Sequence, residues 1–381
     1  MMNMSDNYSW SAHVNTTLNT SLEYNDVRCE VHPTAKNLAL AVILSLICTM
    51  TFVGNAGIIL TVATFRSLHS VTYFLLVSLA LADILVSMFS MPFRIHQTLR
   101  NGQWCLNLSA CAFWIWTDSF ACCASITNLA AIGVERFLAI KAPLRYRSLM
   151  DQKTGLKLMG FIWLYALIWA SLGNLNWSNP HLDVFNTNRG CGKYDPLYYT
   201  VVATLAFFLP LAVVIVAYTY LTRVALFHAR ALQNLVSPEY SRMRGGSSVQ
   251  SDRTLRLIRE IKATKMMAVV VGAFFICWFP FFVVLLKNLW SPSPPVHPVL
   301  AEFIRVLVVI ILPNLNSALN PLIYMKFTRE LRKAFLRLVN QLFHPFCCAK
   351  HHRRKQECEE KGNSTIMKPR GQNKSEVTGK I

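Results

Sequence analysis

The stretch CAFWIWTDSFACCASITNLAAIGVERFLAI, running from Cys111 to Ile140, decides the fold. It is long enough to cross a bilayer and mostly apolar. Yet it carries Asp118 near one end and the pair Glu135–Arg136 near the other. At about 100° and 1.5 Å per residue, Asp118, Ser125 and Arg136 share one helical face within roughly 20°, with Asp118 and Arg136 about 27 Å apart. Ionisable groups inside a membrane are costly and usually face a protein interior or a wet cavity. The stretch therefore reads as one helix of a bundle, with a task at each end of its inner face.

The rest of the chain supports a bundle. Its 381 residues are 53% hydrophobic and only 15% charged, with a mean hydropathy of +0.35. Such a composition points to several membrane spans. Seven stretches have spanning length, at about 38–64, 71–98, 108–140, 156–175, 197–221, 263–286 and 299–325. The expected fold is an all-α membrane protein, a seven-helix transmembrane bundle with a short eighth helix on the membrane surface. Residues 1–37 read as a polar leader, 38–325 as the bundle, 326–345 as the surface helix and 346–381 as a disordered tail. In the surface helix, Phe327, Leu331, Phe335, Leu338 and Leu342 share one face, while Arg329, Arg332, Lys333 and Arg337 populate the others.

A net charge of +19 raises the question of nucleic acid, but the distribution answers it. With the amino terminus outside, most Lys and Arg fall in segments on the cytoplasmic side, as the positive-inside rule requires. No separate soluble fold carries a basic patch, so no nucleic-acid partner is expected. N-x-Ser/Thr acceptors at Asn3, Asn7, Asn15 and Asn19 crowd into the leader, and Asn107 and Asn176 fall in outer loops. Those six are the expected glycosylation sites of a plasma-membrane protein with an extracellular amino terminus and a cytoplasmic carboxyl terminus. Cys29, Cys105, Cys111 and Cys191 lie on the same outer side, an even set able to form two bridges. Cys347 and Cys348 follow the basic amphipathic segment and suit palmitoylation, which would add to its contact with membrane lipids.

Two polar clusters inside the spans stand out. Asp83, in LLVSLALADILVSMFSM, shares its depth with Ser125 and with Asn316, Ser317 and Asn320 of LNSALNPLIY. These oxygens suit a hard cation, so an allosteric sodium ion is one answer to burying Asp83. A water-filled hydrogen-bond cluster with Asp83 protonated is the other. At the inner end, Arg136 has two acidic candidates: its neighbour Glu135, and Glu260 just before the sixth span. An Arg136–Glu260 contact would be a removable latch of the kind that switches need.

Taken together, Gly54-Asn55, LALAD with Asp83, Glu135-Arg136-Phe137, Trp163, Pro210 with Tyr218, CWFP at Cys277–Pro280 and NPLIY at Asn320–Tyr324 resemble the rhodopsin-like (class A) family of G-protein-coupled receptors, and most of all its biogenic-amine group. The order and spacing of these motifs cover essentially the whole membrane region. The resemblance implies a Cys111–Cys191 bridge, which leaves Cys29 and Cys105 as the second pair by elimination. It implies a core connector of Ile126, Pro210 and Phe274, with Tyr218 and Tyr324 as further switch residues. It also implies a heterotrimeric G protein at an inner cleft around Arg136 and Pro143-Leu144. In the amine receptors an Asp seven residues after the bridged Cys pairs with a ligand ammonium, and Asp118 fits. The implied ligand site is Asp118, Cys122, Val202, Ala206, Trp278, Phe281, Phe282 and Asn314.

The match has departures. Val202 and Ala206 are apolar where catecholamine receptors offer hydroxyls, Asn314 replaces a Tyr and Ile311 a Trp. Arg94 could itself pair with Asp118, and peptide receptors also place an acid here. The ligand is thus expected to be a small protonated amine, with a peptide as the alternative. A retinal pigment is excluded, since the last span has no Lys to form a Schiff base. No nucleophile–base constellation is visible, so no enzyme is expected; HHRRK at His351 is an isolated tract. A transporter or channel ranks below a receptor.

Overall fold

The computed structural model describes residues 32–142, 146, 150–178, 185, 191–235, 248–291 and 297–342, with side chains left aside at 140, 221–222, 225–235 and 248–267. Asn3, Asn7, Asn15, Asn19, Cys29, Pro143-Leu144, Cys347 and Cys348 lie outside the described residues, as does the side chain of Glu260.

Seven helices are long and apolar enough to cross a membrane. They are α1 (Ala35–Thr64), α2 (Val71–Leu99), α3 (Leu108–Lys141), α4 (Gln152–Leu172), α5 (Pro196–Val202 continuing through Leu209–Leu235), α6 (Ser248–Trp290) and α7 (Pro298–Ile304 continuing through Leu312–Phe327). Short polar residues start several of them. Thr34, Asn107, Asp151 and Asp195 each accept a backbone N–H from the first turn of α1, α3, α4 and α5. Such caps satisfy donors that the helix leaves open.

The outward faces stay apolar: Leu46, Val53, Val216 and Ile276 are each more than 60% exposed. A lipid solvent makes that stable, because helices satisfy their own backbone and leave only side chains to the hydrocarbon. The inward faces make a main core in which Leu75, Leu79, Ile126, Phe207, Phe274 and Tyr324 are almost wholly buried, with smaller clusters around it. Helices approach closely where side chains vanish. A Cβ on Gly54 would stand 2.8 Å from the ring of Pro321, so that glycine sets the α1–α7 contact.

Three helices contain a widened π turn, and each turn ends two residues before a proline. Val86–Ser90 precedes Pro92, Ala203–Phe208 precedes Pro210, and Arg305–Ile311 precedes Pro313. Proline has no N–H to donate and its ring crowds the carbonyl four residues back. Slipping the preceding ladder by one residue relieves both problems and rotates everything beyond it. Three of the helices that wall the outer cavity are thus re-aimed near it.

A further helix occupies 329–342. Leu331, Ala334 and Leu338 are buried beneath it, while Arg329, Arg332, Lys333 and Arg337 are exposed. Tyr73 of α2 donates a 3.2 Å hydrogen bond to its Glu330, fastening it to the bundle. Leu342, expected on the apolar face, is 55% exposed.

Candidate ligand site and inner switch

The outer half of the bundle holds a cavity of about 320 Å³ between α2, α3, α5, α6 and α7. Asp118, Cys122, Val202, Ala206, Trp278, Phe281 and Phe282 all line it, together with Arg94, Trp114, Ser119, Tyr199 and Phe207. Asn314 does not. It lines a smaller cavity of about 30 Å³ directly below, which Asp118, Ser125, Asn316 and Ser317 share. There the Asn314 amide donates to the Ile310 carbonyl of its own helix at 2.7 Å.

Asp118 sits half-buried one third of the way along α3. Its Oδ1 accepts the Ser90 hydroxyl at 2.5 Å, and Ser90 in turn accepts from the Trp114 indole at 3.3 Å. Ser90 was not foreseen from the sequence. Only the proline two residues later marks the π turn that aims it inward. Trp114 stacks on Trp104 at 5.4 Å and bears the Arg94 guanidinium at 4.6 Å on its ring. Among the described residues, Arg94 and Asp118 form no ion pair.

The far wall is aromatic. Trp278 and Phe281 meet edge to face at 5.5 Å, and Phe207 lies 4.3 Å from Phe282. Rings edge-on to one another leave their faces available to a cation or an apolar ring.

The outer loop closes over one side. Cys191 is bridged to Cys111 at the top of α3, as the resemblance implied. Cys105 is also disulfide-bonded. Two residues past the bridge, Lys193 reaches the cavity but is already satisfied, donating to the Leu175 carbonyl at 2.6 Å with Asp195 at 3.8 Å. Asp195 also ties the loop to α5. Burial alone would raise its carboxyl, but the Ser178 hydroxyl and the backbone N–H groups of Trp177, Tyr198 and Ser178 hold it below its ordinary value. Asn107, exposed at the start of α3, leaves its amide nitrogen free of its capping bond.

In the middle of the bundle, Asp83 is fully buried and its Oδ2 accepts the Asn320 amide at 2.8 Å. Ser125 and Ser317 stand beside it. Its other oxygen, Oδ1, has no partner among the described residues. Of the connector, Ile126 and Phe274 are wholly buried, and Phe274 packs on Phe207 at 5.7 Å and on Trp278 at 6.2 Å. Pro210 follows the π turn of α5 and is half-buried.

At the inner end, Glu135 is fully buried and gathers donors from two helices and a loop. Arg136 approaches it with Nε at 2.6 Å and Nη2 at 2.9 Å, and Thr72 of α2 donates at 3.0 Å. Tyr146 donates to the same carboxylate, and Arg136 also donates to Thr72. Burial and the Glu135 carboxylate push the Tyr146 phenol up to about 12, so it stays a donor at neutral pH. Neither Thr72 nor Tyr146 was singled out in the sequence. Close by, the hydroxyls of Tyr218 and Tyr324 are buried without an acceptor among the described residues.

The chain that places one polar cluster in each third of a seven-helix bundle also matches a known family in sequence. The 7 transmembrane receptor (rhodopsin family) model covers residues 54–324. The chain belongs to that family. The receptor is 33% identical over 350 residues to the alpha-1D adrenergic receptor of Sus scrofa, covering 84% of this chain and 58% of the relative. It is also 33% identical to the human alpha-1A adrenergic receptor, over 79% of this chain and 67% of that protein. The receptor thus spans a little under three fifths of the length of the alpha-1D relatives it matches. Its family is one of receptors, not of enzymes.

Proposed function

We propose that this receptor sits in the plasma membrane with its amino terminus outside and signals to a heterotrimeric G protein when a small protonated amine binds beside Asp118. The observation that carries the reading is Asp118 itself: a carboxylate on the wall of an aromatic-lined cavity, with Ser90 its one hydrogen-bond donor among the described residues. An ionised carboxylate has room for several donors. A ligand ammonium would supply them, with Trp278, Phe281 and Phe282 enclosing its apolar body. The alpha-1 adrenergic relatives support an amine, while the apolar Val202 and Ala206 argue for one without a catechol ring.

Transmission runs inward through Phe207, Phe274 and Trp278 to the charges at Glu135–Arg136. In the resting form Arg136 is occupied by Glu135, and Glu260 is a second acid within reach in the sequence. Releasing Arg136 would open it, with Pro143-Leu144 and the basic inner ends of α5 and α6, to the G protein. Sodium fits the cluster between the two ends, because the unpartnered Oδ1 of Asp83 suits a hard cation. Asp83, Ser125, Asn316, Ser317 and Asn320 would hold it, supplying the counter-charge that makes an ionised Asp83 tolerable.

Asp118→Asn is the test. Losing a desolvated, charge-assisted contact costs about 2–5 kcal/mol, so agonist amines should weaken by roughly thirtyfold or more at unchanged surface expression. Potency of an activating amine that is insensitive to the substitution refutes the reading and leaves a peptide as the better ligand.

A further inference from the structure

Arg94 is the cavity feature that a simple amine does not explain. Its guanidinium lines the same cavity as Asp118 and rests on the Trp114 ring at 4.6 Å. Among the described residues no oxygen accepts a hydrogen bond from it. The charges acting on it are Asp118, favourably, and Arg305, unfavourably. Arg305 is itself engaged, donating to Glu302 at 2.7 Å. Lys193, the other cation on the wall, already has a carbonyl and a carboxylate. Arg94 is therefore a cation within a membrane span that lines a ligand cavity and has no acceptor among the described residues, an arrangement that is costly unless something supplies an anion.

The geometry also says where that anion would sit. Ser90 and Arg94 are four residues apart on α2, and Asp118 and Trp114 are four apart on α3. Ser90 bonds to Asp118, and Arg94 stacks on Trp114. The Arg94–Trp114 contact thus lies about one helical turn, some 5.4 Å of helix rise, outward of the Ser90–Asp118 contact. A plain ammonium bound at Asp118 would leave the guanidinium unneutralised and add a like charge near it. A ligand carrying both charges within a few ångströms satisfies Asp118 and Arg94 together.

Building on the amine reading above, we propose that the ligand is zwitterionic: an amino acid with an apolar, ring-bearing side chain, its ammonium on Asp118 and its carboxylate on Arg94. The planar fork of Arg94 matches a carboxylate bidentately, and the Trp114 face holds that fork in orientation. The ring of the ligand points to the wall of Phe281, Phe282 and Phe207, where α5 offers no hydroxyl at Val202 or Ala206.

The experiment uses the full-length receptor in cells, with three matched pairs as probes: phenylalanine and phenethylamine, tyrosine and tyramine, tryptophan and tryptamine. Activation and competition binding are scored for wild type, Asp118→Asn, Arg94→Gln and Arg94→Lys, with surface receptor measured alongside. The expected result is that at least one amino acid activates or competes as well as its decarboxylated partner. Arg94→Gln should then lower the amino-acid-to-amine potency ratio by about thirtyfold or more, as for loss of a desolvated charge pair. Arg94→Lys, which keeps the charge but not the fork, should fall between. Asp118→Asn should weaken both members of a pair. Amines that act through Asp118 while no amino acid activates or competes would overturn the inference and leave the amine reading intact. Amino acids whose ratio ignores Arg94 would overturn it as well, placing the carboxylate elsewhere. Insensitivity of both series to Asp118 would instead sink the amine reading and this inference with it. If neither Arg94 variant reaches the surface, the wild-type comparison decides alone, with inactive amino acids counting against.

Discussion

Tyr146→Phe removes one hydroxyl and leaves the ring, so it isolates a single hydrogen bond of the inner cluster. That bond runs from a phenol in the second inner loop to Glu135, a buried carboxylate that already holds Arg136. A hydrogen bond to a charged group contributes about 1.5–3 kcal/mol, and the half-buried position of Tyr146 argues for the bottom of that range or just below it, about 1–2 kcal/mol. If the bond exists only while Arg136 is held by Glu135, losing it shifts the resting-to-active ratio by roughly five- to thirtyfold. Ligand-free nucleotide exchange on a purified G protein, at matched amounts of receptor in lipid discs, should rise by a factor in that range until it saturates. Thr72→Ala removes a second donor to the same carboxylate and should act in the same direction. Glu135→Gln withdraws the charge itself and should exceed both. Unchanged basal exchange in Tyr146→Phe and Thr72→Ala, with agonist-driven exchange intact, would mean that these bonds survive activation and do not hold the resting state.

Two further outcomes are expected. Added sodium should weaken agonist binding, because an ion that prefers one arrangement draws population from the other, and Asp83→Asn should abolish the response; full sodium sensitivity in that variant would place the ion elsewhere. Asp195→Asn should lower thermal stability at neutral pH by about 1–2 kcal/mol, because an amide can still cap the helix but gives up the charge that strengthens the bonds from Ser178, Trp177 and Tyr198. Because the Asp195 carboxyl is held below its ordinary value, its contribution is complete above the unfolded carboxylate range and fades as pH falls through the folded value. Wild type and variant should therefore converge in acid, and a stability gap that does not narrow there would refute the assignment.

What could be read in the sequence was what depends on composition and spacing. Seven apolar runs yield seven spans because only a self-satisfied backbone survives in lipid, and a buried Asp83 or Glu135 stands out against such a background. Asp118 stood out as a lone carboxylate in a span, while the Cys111–Cys191 bridge followed from the family resemblance. The partners of those charges were hidden for a physical reason. Ser90 and Thr72 are ordinary small polar residues whose hydroxyls could equally well have bonded to their own helix, as Thr51 and Thr61 do here. Which course they take depends on a π turn and on inter-helix register, neither of which leaves a period in the sequence. The mark that was available is proline: Pro92, Pro210 and Pro313 each follow a π turn at the same offset. Arg94 escaped for a related reason. On an uninterrupted helix it could be paired with Asp118 on paper, whereas in the structure it stacks on Trp114.

The two ends of α3 prove to be held in the same way, and this bears on the question raised by its charges. Each carboxylate takes a hydroxyl from α2: Ser90 at Asp118 and Thr72 at Glu135. The helices run antiparallel, and the two contacts lie 18 residues apart on α2 but 17 on α3. The extra residue on α2 is accommodated by its π turn, Val86–Ser90, which lies between them. Without that turn, Ser90 would sit about 100° further round its helix and one of the two bonds would be lost. A third α2 hydroxyl, Ser78, accepts the Trp163 indole of α4 at 3.1 Å between these points. The α2–α3 pair is thus pinned at both ends at once, as a stiff strut about 25 Å long. A cation that competed with Ser90 for Asp118 would loosen the outer end, and α3 could then turn or slide only by straining Thr72 against Glu135. Packed helices respond to such strain by moving as bodies rather than by bending locally. On the proposed function, an acid at each end of one membrane helix, both tied to the same neighbour, would make the inner charges respond to occupancy of the outer ones.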